Sequence, residues 1–170
     1  MARIDALDLA RAMIACPSVT PEDGGAQKVL QDTLADLGFS CHSQTFSADN
    51  TPDVRNLYAR LGSASPNFCF AGHTDVVPVG DPDSWQDDPF GAEVKDGVLY
   101  GRGASDMKTA IACFTEATAR FIGKHGPDFG GSISLLITGD EEGPAINGTR
   151  KLLEWTKAQG EGLDACLVGE

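Results

Sequence analysis

His73, Asp75, Asp106, Glu141, Glu142 and Glu170 are the residues of this 170-residue chain whose types and spacing suit metal-assisted hydrolysis. His73 and Asp75 stand two apart in an extended segment, so both side chains can face the same way. A metal-bound imidazole usually donates its other ring N–H to a carboxylate or carbonyl; Asp75 fits that role or the role of a ligand. Glu141 and Glu142 follow Asp140, and three adjacent acids repel one another and resist desolvation. A divalent cation would relieve that repulsion. Two neighbouring carboxylates also allow a division of labour, one binding the metal and the other accepting a proton from metal-bound water. Asp106 reads either as a helix cap favoured by the helix dipole or as a carboxylate bridging two metals. The plain alternatives are a polar loop histidine at 73, a solvated acidic turn at 140–142 and a chain end at Glu170.

These residues need a scaffold that gathers them. In open α/β sheets, ligands bind beyond the carboxyl ends of the strands. Asn67-Phe-Cys-Phe-Ala71 runs into Gly72-His73-Thr74-Asp75, the apolar run 133–138 into Gly139-Asp140-Glu141-Glu142, and the run 163–168 into Gly169-Glu170. If these strands are parallel, all three ends share one edge of the sheet. Around them, residues 3–15 place Leu7, Ala10 and Ile14 on one helical face. Ser18 or Thr20 suits the cap of a second helix, with Pro21 in its first turn and Val29, Leu30, Leu34 and Leu37 along its stripe. Strands are expected over 39–46 and 54–61, and a hairpin over 93–101 about Asp96-Gly97. Helices are expected over 106–123 and 147–158. The alternation predicts an α/β class with a mixed, largely parallel sheet flanked by helices. The run 163–168 reads as a buried strand, and an end just beyond it suggests the first part of a longer catalytic domain.

Thirteen basic against twenty-five acidic residues leave a formal charge of −12, which disfavours nucleic acid and anionic membrane surfaces as partners. No stretch approaches the ~20 apolar residues of a membrane span. Residues 1–10 carry Asp5 and Asp8 and do not read as a secretory signal. Cys16, Cys41, Cys69, Cys113 and Cys166 are scattered singly, which suits reduced thiols in a cytoplasm, with Cys69 and Cys166 as small core residues. His42 and His125 read as structural. Two other motifs fail: Gly101-Arg-Gly103 puts Asp106 where a pyrophosphate loop needs glycine, and Ser105 lacks the second glycine of a nucleophile elbow because Met107 occupies it.

Taken together, Phe70-Ala-Gly-His-Thr-Asp-Val-Val-Pro-Val-Gly80, Trp85 with Asp88-Pro-Phe90, Asp96-Gly-Val-Leu-Tyr-Gly-Arg-Gly-Ala-Ser-Asp-Met-Lys108 and Thr138-Gly-Asp-Glu-Glu142 resemble the dinuclear-zinc aminoacylase and carboxypeptidase family. The blocks run in order across most of the chain. The resemblance implies that His73 and Glu170 bind one zinc, Glu142 binds the other and Asp106 bridges them. It further implies that Asp75 orients His73, that Glu141 is the general base and that cobalt can occupy one of the two sites. Asp106-Met107 matches a point where the family has a non-proline cis peptide. The stretches Ile137-Thr-Gly-Asp-Glu-Glu-Gly-Pro-Ala-Ile-Asn-Gly-Thr149 and Leu167-Val-Gly-Glu170 resemble most closely those members that remove succinate from N-succinyl-LL-2,6-diaminopimelate. The implied protein is a cytoplasmic homodimer whose second histidine ligand and lid, the dimerising domain, lie beyond this sequence. The 170 residues alone are expected to be inactive. The alternatives are a related N-acyl amino acid deacylase, such as an acetylornithine deacetylase, or a non-catalytic metal-binding remnant.

Overall fold

Residues 4–169 are described by the structure, a computed structural model. Five strands make the main sheet: β1 (Ser40–Phe46), β2 (Val54–Leu61), β3 (Asn67–His73), β6 (Ser132–Thr138) and β7 (Ala165–Val168). Their spatial order is β1-β2-β6-β3-β7. β1–β2 and β2–β6 pair antiparallel, whereas β6–β3 and β3–β7 pair parallel, so the sheet is mixed and its parallel half carries the three expected endings at one edge. A separate two-stranded ribbon, β4 (Glu93–Lys95) with β5 (Val98–Tyr100), turns at Asp96-Gly97. Both turn residues have positive φ, as a tight two-residue hairpin requires.

Period-two alternation sorts the central strands onto two buried faces. On one face Leu57, Ala59, Phe70, Leu135 and Ile137 meet three helices, α1 (Ala6–Ile14), α2 (Ala26–Asp36) and α3 (Thr109–His125). On the other, Tyr58, Cys69 and Leu136 meet Leu152 of α4 (Thr149–Ala158). Burial on both sides explains why β6 reads as a nearly continuous apolar run.

Several expectations are corrected. Asp5 caps α1 by accepting from the backbone of Leu7 and Asp8, which leaves Leu7 exposed in the first turn. The buried stripe is instead Leu9, Ala10, Met13 and Ile14. α2 begins later than expected, because Asp23 accepts from the N–H groups of Gly25 and Gln27. Neither Ser18 nor Thr20 caps it. Ser18 is buried and donates to the Thr74 carbonyl (2.6 Å), while Val19 forms a parallel bridge with Val76. That tie fastens the α1–α2 connection to the loop after β3.

α3 starts at Thr109 rather than 106, and Asp106 is extended (φ −128, ψ 101) inside an irregular turn, Ala104–Lys108, so it caps no helix. On α3, Ile111, Thr118 and Ile122 are buried, but Phe121 is exposed. α4 starts at Thr149, which leaves Asn147 in the preceding loop. β7 is not buried. It pairs with β3 alone at the sheet edge and all four of its residues are exposed, Cys166 among them, so Cys166 is not a core residue. An apolar sequence could not distinguish an edge strand from a central one.

Candidate metal centre

β3 delivers His73 to the sheet edge with its ring buried. Its Nδ1 lies 2.9 Å from the backbone oxygen of Asp75, which suits donation from that nitrogen. Nε2 then faces Asp106, whose Oδ1 stands 3.0 Å away. Glu141 Oε2 is 3.9 Å from the same nitrogen. Asp106–Met107 is a cis peptide, as the sequence blocks implied.

Asp75 is buried, and its carboxylate does two things. It stands 3.6 Å from His73 Nδ1, and it accepts the backbone N–H groups of Glu141 (3.1 Å) and Glu142 (3.0 Å). The loop after β6 is thereby hung from the loop after β3, and its two glutamates are turned toward His73. Burial opposes a charge on His73, but the Asp75 carboxylate and carbonyl and the charge of Glu141 outweigh it and push the imidazole up to about 9. Burial, followed by the charge of Asp106, pushes the Glu142 carboxyl above its ordinary range.

Asp140 departs from the expected acidic triplet. It is buried away from His73 and accepts from the backbone of Ala145 (3.1 Å) and Asn147 (2.8 Å). The acids that crowd Glu142 are instead Asp106, Glu141 and Asp75. The signal for this was present: an Asp ahead of a Gly-Pro loop commonly turns to bond the backbone that follows it. Asn147, also unassigned by the sequence, donates to Thr51 Oγ1 and the Pro52 carbonyl and so ties the glutamate loop to the β1–β2 linker. Lys108 went unassigned as well. It is fully buried, with its Nζ on the carbonyls of Met13 (2.9 Å) and Cys16 (3.1 Å), and burial pushes its ammonium down to about 8. Trp85 donates to the Val79 carbonyl and packs against Arg102, holding the loop before the ribbon. Glu170 lies outside the described residues.

The family model "Peptidase family M20/M25/M40" matches residues 69–170, the stretch that contains every residue of this site. The chain belongs to that family. This M20/M25/M40 chain is 64% identical over 166 residues to a succinyl-diaminopimelate desuccinylase of Parvibaculum lavamentivorans, covering 98% of the chain and 41% of the relative. It is 61% identical over 164 residues to the protein of that name from Methylorubrum extorquens, covering 96% of the chain and 43% of the relative. The chain thus spans about two-fifths of the length of these relatives. Among solved structures, human carnosine dipeptidase 1 superposes with a TM-score of 0.82 at 27% identity, covering 96% of the chain and 38% of that structure.

Membership of this family implies a divalent metal ion, and the residues fit one. One donor atom each from His73, Asp106 and Glu142 lies within 4.8 Å of the others. At zinc–ligand bonds of ~2.0–2.2 Å, two ligands of one tetrahedral ion lie about 3.3–3.6 Å apart. His73 Nε2 and Asp106 Oδ1, 3.0 Å apart, are already near ligand spacing, and Glu142 belongs to the same cluster. The mix of one imidazole nitrogen and carboxylate oxygens suits zinc and its first-row neighbours.

Proposed function

We propose that the polypeptide carrying this sequence is a metal-dependent amide hydrolase that removes succinate from N-succinyl-LL-2,6-diaminopimelate to leave LL-diaminopimelate. The observation that carries the reading is the convergence of His73, Asp106 and Glu142, with the Glu141 carboxylate 3.9 Å from His73 Nε2 beside them. The name of the relatives at 61% and 64% identity supports the substrate.

In this reading His73 and Glu170 hold one zinc, Glu142 holds the other and Asp106 bridges. Cobalt is an acceptable substitute in one site. When bound, the pair of ions lowers the pKa of a water and polarises the amide carbonyl. Glu141 takes the proton of the attacking water and returns it to the leaving amine. Its side chain is 43% exposed, which leaves room for a substrate and for that proton transfer. Asp75 acts on neither water nor substrate; it sets the imidazole and the two glutamate backbones. A Glu positioned as a proton acceptor has no use in a pure metal binder, which weighs against a remnant without activity.

The full polypeptide is read as a cytoplasmic homodimer, paired through a domain outside this sequence, and the 170 residues alone as inactive or nearly so. The deciding experiment is a substrate panel on a full-length polypeptide. A chimera in which residues 1–170 replace the matching part of the Parvibaculum relative serves well. N-succinyl-diaminopimelate is expected to be hydrolysed far faster than N-acetylornithine or a dipeptide. Preference for the acetylated amino acid or for the dipeptide, the kind of substrate carnosine dipeptidase is named for, would replace this reading with a related deacylase or peptidase.

A further inference from the structure

We propose that Lys108 is a positioning residue whose ammonium, anchored to the end of α1, fixes where the Asp106 carboxylate meets His73. This rests on the reading of Asp106 as a metal ligand. Among the described residues, the only hydrogen bond to the Asp106 side chain is the one to His73 Nε2, and that side chain is 55% exposed. Its place is therefore set by its backbone, and the backbone is set by the two residues that follow. Met107 is buried beneath β3, where its Sδ receives the His73 N–H at 3.3 Å. A side chain at Gly72 would strike it, which is why that approach requires glycine. Lys108 is fully buried in the other direction. Its own N–H donates to the Gly103 carbonyl (3.0 Å), and its Nζ reaches the carbonyls of Met13 and Cys16. Three successive side chains thus engage three different partners: the imidazole, the β3 backbone and the C-terminal end of α1.

Chemistry favours a positioning role over simple filling. A methionine would occupy the same channel without burying a charge, and buried charge is costly unless it is paired or well hydrogen-bonded. The ammonium adds direction. The carbonyls of Met13 and Cys16 each already accept one backbone N–H, from Cys16 (3.1 Å) and Ser18 (2.8 Å), and the ammonium takes their remaining acceptor capacity, with the partial negative charge at the helix C-terminus favouring a cation there. α1 is itself packed on α3 and α2, and so serves as a rigid anchor.

The test uses the chimera described above. Zinc affinity is measured by competition with a chromophoric chelator, and folding of the metal-free protein by thermal denaturation. K108M is expected to weaken zinc binding by about tenfold or more, the scale on which groups behind metal ligands act. Placed on D106N, K108M should add less than twofold, because its effect passes through Asp106. A K108M protein within twofold of wild-type affinity, or equal losses from K108M in both backgrounds, overturns the proposal. Should K108M not fold, K108R retains charge and donors but not reach, and a loss of at least fivefold is expected; wild-type affinity in K108R overturns the proposal. Failure of both variants to fold assigns Lys108 to folding alone and overturns it too. D106N with unchanged affinity instead overturns the ligand reading of Asp106, whereas a weakened D106N beside an unchanged K108M overturns only the Lys108 proposal.

Discussion

Glu141 and Glu142 are chemically identical neighbours, and their backbone N–H groups share one acceptor, yet their carboxylates end in different places, and the proposed function gives them different work. Glu142 closes the donor set with His73 and Asp106, while Glu141 stands beyond bonding distance of the imidazole. In the proposed reading, replacing Glu141 by Gln removes a proton acceptor and no metal ligand. E141Q in the chimera is expected to retain its zinc, measured by elemental analysis after dialysis, and to lose at least ~10²-fold in kcat. A near-normal kcat would remove Glu141 from the reaction. Spacing alone could propose the division of labour but not the assignment, which came only from the family resemblance, because two adjacent acids are symmetric until Asp75 fixes the direction of their backbone.

The elements differ in how closely their glycines are packed, and this makes the fold testable without replacing a proposed ligand. A Cβ on Gly148 would sit 2.4 Å from Thr138 Oγ1 and 2.8 Å from the Asp140 carbonyl, where α4 joins the end of β6. G148A is expected to cost roughly 1–3 kcal/mol by overpacking. Gly123, near the end of α3, has nothing within 4 Å of such a Cβ. G123A is expected to gain about 0.5–1 kcal/mol through helix propensity. Urea midpoints of the two variants should therefore move in opposite directions. Most elements were legible from pattern: β2, β3, β6 and the ribbon fell where alternation and Asp96-Gly97 placed them. What failed was tertiary in origin. Ser18 has the chemistry of a helix cap, but the strand-like bridge at Val19 claims it for Thr74. Asp106 has the chemistry of a cap, but the turn through Lys108 sends it to His73 instead. In both cases a local preference yielded to a contact distant in sequence, which one-dimensional reading does not contain.

For the whole molecule, coverage sets what the chain can do. It spans about two-fifths of its relatives, and the apolar edge strand β7 ends in Leu167 and Val168, 49% and 63% exposed. Under the proposed ligand assignment, the isolated chain should keep at most one zinc through dialysis, against two in the chimera. Two tightly held ions in the isolated chain would show that the ligand set is complete without further residues. The layout of the sheet also bears on the order of assembly. β1 and β2 meet across a short linker, whereas β3 reaches β6 only after the whole of α3 has been made, and β7 only after α4. Loop closure makes such distant pairings the slow ones. The β1–β2 hairpin can form early and alone, whereas β6, which pairs with both β2 and β3, joins only after α3, and only then do His73 and Glu142 come together. On the proposed ligand reading, capacity for a metal ion is therefore acquired late, so that a chain stalled partway through folding would carry native-like helices and strands yet hold no ion.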